Sequence, residues 1–116
     1  MILFRDYDEK EMIDRVWYKS SDIIYSECKD MLGQLKTVKV VFKGGRSYIY
    51  KDVDVNDYVM FVHGGLDGSN GKAFNQFMKK YNFEKGEKIP VEELSLDMER
   101  RMKAKKAAEK EKEGTI

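Results

Sequence analysis

Cysteine occurs once in this chain, at Cys28. One thiol forms neither an intrachain disulfide nor a cysteine-rich zinc site, which fits a reducing, cytoplasmic setting. Histidine also occurs once, at His63, so no Ser/His/Asp, Cys/His or metal-spaced cluster can be assembled around it. With the acidic residues scattered along charged surfaces, the expectation is a protein that is not an enzyme and carries no metal or cofactor. Net charge is nearly absent: 22 Lys and Arg against 21 Asp and Glu leave +1. No global pull toward nucleic acid or membrane follows, so recognition of an anion has to be local. Long apolar runs are missing too. Met1-Ile2-Leu3-Phe4 is cut off by Arg5 and Asp6, so it reads as neither a membrane span nor a signal peptide. The 116 residues, 41% of them apolar, suffice for one domain with a modest core and an extension.

Glycine, by contrast, is concentrated. Gly64, Gly65, Gly68 and Gly71 punctuate one stretch that leads into Lys72 and a helical pattern. Ser69 is a good N-cap for a helix starting near Asn70. The amides of Asn70, Gly71 and Lys72, with the Lys72 charge beside them, compose an anion site suited to phosphate. The plainer reading is a loop whose serine caps a helix. A nucleoside triphosphatase loop is excluded by spacing. Counting back from Gly71, the required glycine falls on Leu66, and Ala73 replaces the metal-binding hydroxyl.

Taken in order, Glu11–Val16 reads as a short helix with Met12, Ile13 and Val16 on one face and Asp8 as its cap. Trp17-Tyr18-Lys19-Ser20-Ser21 joins two aromatics to a lysine and two hydroxyls; core packing and base stacking are both open to it. Asp22–Lys29 reads as a strand, and Asp30–Lys36 as a turn containing Gly33. Thr37–Lys43 is the cleanest strand, with Val38, Val40 and Phe42 on one face; Val41 interrupts the polar face, which is therefore partly covered. Gly44-Gly45 signals a hairpin, and Arg46–Lys51 returns with Tyr48 and Tyr50 on one face. A helix capped by Asn56 or Asp54 follows, carrying Tyr58, Val59, Phe61 and Val62 and ending at His63-Gly64. Ala73, Phe74, Phe77, Met78 and Tyr81 mark a second helix. Asn82–Pro90 is a polar linker. Val91–Glu113 is helical, with a narrow stripe of Leu94, Met98 and Met102 facing either the domain or another protomer, and an end that frays. Residues 97–113 carry seven basic and five acidic side chains, a mixed-charge surface and not a basic tail.

Residues 20–81 resemble the KTSC domain, a small domain named for the C-terminus of some lysyl-tRNA synthetases that also occurs alone. The matching features are Ser20-Ser21 before an apolar strand, and Val38-x-Val40-x-Phe42-x-Gly44-Gly45 in the hairpin. Tyr48-x-Tyr50 with Val53, and Ser69-x-Gly71-x-x-Phe74-Asn75 with Tyr81, complete the set. Asp54 stands where the family pattern carries proline, and Gly64, Gly65 and Gly68 are extra glycines. The resemblance implies an α+β domain, a small antiparallel β-meander followed by two helices, here with a charged C-terminal helix. It divides the chain into an N-terminal segment (1–19), the KTSC-like domain (20–81), a linker (82–90) and the terminal helix (91–116). The residues carried over are Ser20, Ser21, Tyr48, Tyr50, Ser69, Gly71, Phe74 and Asn75, with Phe74 read as core. The family is regarded as a candidate RNA-binding module.

The functional expectation is non-enzymatic binding of a phosphate-bearing nucleotide. The amides of Asn70, Gly71 and Lys72 would hold phosphate, with charge from Lys72 and Arg46. Ser69 and Asn75 would orient the ligand; Tyr48, Tyr50, Trp17 or Tyr18 would stack on or hydrogen-bond the base. Lys72→Ala and Tyr50→Ala are expected to weaken binding and leave the fold intact. A short, Lys/Glu/Met-rich, free-standing domain resembles phage or mobile-element products. By that analogy the ligand is a cyclic dinucleotide immune signal of the host cell, sequestered by a sponge protein that is a homo-oligomer. The alternative is an RNA-binding module using Lys36, Lys39, Lys43 and Arg46 with Lys79 and Lys80. Two other readings are a phosphodiesterase built on Lys72 and His63, and an adaptor anchored by Tyr48 and Tyr50.

Overall fold

Alternation of side chains along each strand lets one sheet serve two cores. In the computed structural model, which describes residues 1–29, 35–65 and 68–113, six strands pair antiparallel in chain order. They are β1 (Ile2–Asp8), β2 (Ile13–Tyr18), β3 (Ile23–Lys29), β4 (Leu35–Phe42), β5 (Ser47–Asp54) and β6 (Phe83–Lys85). Between β5 and β6 lie α1 (Val55–Val62) and α2 (Asn70–Ala73), which runs into a π-helical turn (Phe74–Met78); α3 (Val91–Glu113) closes the chain. The expected α+β class, a meander with helices after it and a long C-terminal helix, is the one observed. The turn expected around Gly33, Leu66-Asp67 of the glycine-rich stretch and the last three residues lie outside the described residues.

On one face, Val16, Tyr18, Val38, Val40, Tyr50 and Val53 pack under Tyr58, Phe61 and Val62 of α1 and Phe74 and Met78 of the π-helical turn. On the other, Trp17, Tyr25 and Val41 pack under Ile89, Leu94 and Met98. Val41, which interrupts the polar face of β4, is thus covered by α3. A bulge between Ile23 and Tyr25 lets these residues join opposite cores although they stand two apart. The stripe of α3 packs on its own sheet through Leu94 and Met98, while Met102 is 36% exposed. Arg101 of α3 reaches Asp6 of β1 at 3.0 Å.

Three local expectations are corrected. Residues 11–16 do not form a helix: Ile13–Tyr18 is the second strand, flanked by β1 and β3. Both of its faces are covered, Val16 and Tyr18 lying in one core and Trp17 in the other, so its polar Asp14 and Arg15 lie inside the sheet and hide the alternation. Asp8 caps a turn, accepting from the amides of Lys10 and Glu11 at 3.0 and 3.2 Å. The second helix does not continue to Tyr81; it ends at Met78, with Lys79 N–H donating to Phe74 O across the wide π turn. The polar linker contains β6, paired with Tyr48, Ile49 and Tyr50. The helix ending at His63 is as expected: Asp54 accepts from Asn56 N–H at its start, and Gly64 follows with φ +78°.

Candidate functional site

Three chain segments converge at the turn end of the β4–β5 hairpin. The hairpin turn is closed by Gly45 N–H donating to Phe42 O and Phe42 N–H donating to Arg46 O, which leaves Lys43 and Arg46 exposed on its two shoulders. The residues leading into β3 lie beside it, because Lys43 N–H donates to Asp22 O at 2.8 Å. Ser20 Oγ tightens that entry by accepting from the amides of Asp22 and Ile23. The first turn of α2 closes the third side, held by Ser69 Oγ accepting from Lys72 N–H at 3.4 Å.

Together they enclose a cleft of about 470 Å³. Ser21, Asp22 and Ile23 form one wall, Lys43, Arg46 and Tyr48 the second, Gly71 and Asn75 the third, with Phe42 and Phe74 between them. The aromatic part is a chain of edge-on ring contacts. Phe42 meets Phe74 edge-on at 5.1 Å between ring centres and Tyr48 at 5.7 Å; Tyr48 meets Phe83 at 5.4 Å. Among the described residues neither Lys43 nor Arg46 has an ion-pair partner, so both charges face solvent and the cleft mouth. The size suits a small ligand of nucleotide class.

Five of the site residues expected from sequence line this cleft: Ser21, Arg46, Tyr48, Gly71 and Asn75. The other seven do not. Trp17 is 3% exposed; its ring packs on Phe4 and Tyr25 and its indole N–H donates to Leu94 O at 3.0 Å. Tyr18 lies in the opposite core with its hydroxyl bonded to Ser26, and burial pushes its phenol well above the usual range. Neither ring offers a free face for stacking. Tyr50 is 4% exposed and packs on Phe74 and Phe83; burial pushes its phenol up to about 12, with Tyr48 adding to the shift. Its truncation to alanine removes core, so Tyr50→Ala is not the fold-neutral test that its sequence position suggests. Ser20 and Ser69 act as caps. Lys72 is exposed but lies outside the cleft wall.

The helix terminus itself is filled by the chain. Asn70 is buried and turned inward; its Nδ2 donates to Phe61 O and Val62 O and its Oδ1 accepts from the Met1 nitrogen. A Cβ on Gly71 would come within 2.9 Å of Asp22 Oδ2, so this glycine admits the protein's own carboxylate. The positive edge of the cleft is therefore the hairpin, not the first turn of α2. Asp22 was legible only as the start of a strand, and Lys43 only as a member of a basic cluster; what marks them is their place beside the turn, which no spacing reveals. No family model, curated protein or solved structure matches this chain. The resemblance to the KTSC domain therefore rests on the residues quoted for it.

Proposed function

We propose that the protein is a KTSC-like binder of a phosphate-bearing nucleotide, which it holds in the hairpin cleft without chemical turnover. The observation that carries this reading is the pair of cations, Lys43 and Arg46, without ion-pair partners among the described residues, on a cleft walled by Phe42, Phe74 and Tyr48. Cations on a turn meet phosphate, with Arg46 able to do so through two parallel N–H bonds. The aromatic wall meets a base or sugar face. Asp22 accepts from ring or exocyclic N–H groups of the base, and Ser21 and Asn75 supply neutral donors and acceptors.

The biological role proposed for such binding is sequestration: a cytoplasmic sponge that removes a cyclic dinucleotide signal from a host defence pathway. That role asks for tight binding and release of an unaltered ligand. The test is a panel of cyclic di- and trinucleotides, linear nucleotides and a short single-stranded RNA, read by calorimetry and by mass spectrometry of the ligand recovered after heating. The expected result is an intact cyclic nucleotide, with Lys43→Ala and Arg46→Ala each weakening it about tenfold, the scale of one charge-assisted bond. Because both side chains are exposed, thermal stability is expected to stay unchanged. Recovery of cleaved ligand, or wild-type affinity in both variants, would falsify the reading. Binding of RNA alone, fading steeply with salt, moves the protein to the RNA-binding class.

A further inference from the structure

A second hollow adjoins the cleft. Arg46 and Tyr48 line both, so these two side chains form the ridge between them. The far side, of about 250 Å³, is completed by Ser47, Lys85, Gly86 and Lys88. It exists because the residues after β6 are laced to the hairpin. Gly86 N–H donates to Ser47 O at 2.9 Å, Ser47 Oγ donates to Glu87 O, and Ile89 N–H donates to Gly45 O at 2.8 Å. The approach is tight: a Cβ on Gly45 would meet Ile89 O at 2.4 Å, and Gly45 has φ +93°, so both the space and the backbone geometry require glycine. The lacing sets Lys88 beside Gly45 and fixes Lys85 in β6 opposite Tyr48.

The charge of this hollow is one-sided. Its lining holds Arg46, Lys85 and Lys88 and no carboxylate. Glu84, the one acid of β6, is taken by Lys51 at 2.8 Å, and Glu87, between Gly86 and Lys88, does not line the hollow. None of the three cations has an ion-pair partner among the described residues. The grooves at Arg5–Asp14–Lys36 and at Glu27–Lys29–Lys39 each place an acid beside their cations. In a chain of net charge +1, three uncompensated cations in one concavity concentrate positive potential where an anion can lie close to all of them.

We infer that the hollow at Lys85 and Lys88 is a second phosphate subsite. The ligand then carries two phosphate groups joined by a nucleoside-sized spacer and straddles the Arg46–Tyr48 ridge. Lys43 and Arg46 take one phosphate and Lys85 and Lys88 the other, while the ring of Tyr48 supports the sugar or base between them. This inference rests on the nucleotide reading of the cleft and adds a place for the ligand's second phosphate, with two residues, Lys85 and Lys88, to hold it.

The probes are guanosine and adenosine 5′-monophosphate against the matching cyclic dinucleotides and linear 5′-phosphorylated dinucleotides, titrated into the wild-type chain and into Lys85→Ala/Lys88→Ala. The expected result is a dinucleotide bound at least tenfold more tightly than its mononucleotide, a gain abolished in the double variant, whose mononucleotide affinity stays at the wild-type value. Lys43→Ala should weaken both ligands. Equal affinity for mono- and dinucleotide, or a double variant that loses neither, overturns the second subsite and leaves the nucleotide cleft standing. Binding of none of the probes overturns both. Affinity that keeps rising with single-stranded RNA from two to ten nucleotides also overturns a two-phosphate ligand, because a strand and not a dinucleotide is then the occupant. The melting temperature of the double variant, expected to match wild type because both lysines are exposed, excludes unfolding as the cause of any loss.

Discussion

Asp14 shows how one carboxylate can be stabilised inside a sheet. It is 6% exposed and accepts from Arg5 Nε at 3.0 Å, from Arg5 Nη2 at 2.7 Å and from the Tyr58 hydroxyl at 2.8 Å. The bonds to Asp14 hold the Arg5 guanidinium above its usual range, and burial does the same more strongly to the Tyr58 phenol. Three bonds satisfy most of the carboxylate's lone pairs, which a buried charge requires. Replacing Asp14 with alanine leaves a buried hydroxyl and a half-covered guanidinium without their acceptor. The expected loss in urea unfolding is about 3 kcal/mol. A loss under about 1 kcal/mol would mean that water replaces the carboxylate. In sequence, Asp14-Arg15 looks like surface, and nothing there tells that Tyr58, 44 positions away, donates to it. At the cleft the same blindness applies to Asp22 and Gly71, whose proximity comes from folding alone.

Between elements, α3 is the joint most open to test. Its register on the sheet is set by Leu94 and Met98 over Trp17, Tyr25 and Val41, by the indole bond to Leu94 O, and by Arg101 bridging Asp97 and Asp6. Trp17 is the only tryptophan, so its fluorescence reports this joint. Leu94→Ala is expected to cost about 2 kcal/mol and to move the emission to longer wavelength, since a half-buried leucine sits at the low end of core truncations. An unchanged emission maximum would show that Leu94 does not shield the ring. The helix was legible in sequence from its propensity, and its stripe from the four-residue spacing; which surface the stripe covers was not. β2 and β6 were illegible for different reasons. β2 is covered on both faces and loses its alternation, while β6 has three residues, too few for any period.

Across the whole molecule, the helical layer is tied to the sheet at Asp57, whose carboxylate accepts from the Tyr81 hydroxyl and pairs with Lys80 at 2.9 Å. Tyr81 also accepts from Asp54 N–H at the end of β5. The Tyr81 bond, more than the Lys80 pair, lowers the Asp57 pKa. A carboxyl with a depressed folded-state pKa contributes stability that is present above its unfolded value, about 4, and is lost as pH falls through the folded value. Asp57→Asn is therefore expected to lower the melting temperature at pH 7, by about 1 kcal/mol of stability, and to match wild type once the pH is below the folded value. A difference that persists unchanged to pH 2 would assign the effect to shape and not charge. What residue order alone determined is the local grammar: the β3–β5 strands, a first helix capped at Asp54 or Asn56, the Ser69 cap, the glycine turn, the long charged helix and the α+β class. These depend on neighbours within a few positions, where propensity and periodicity act. Only tertiary structure decided that the first eighteen residues complete the sheet and that Trp17 and Tyr18 face two cores. It alone decided that Lys43, Arg46, Lys85 and Lys88 gather around one turn. Those outcomes depend on strand pairing and on which face each helix covers, contacts between residues far apart in sequence that no local pattern encodes.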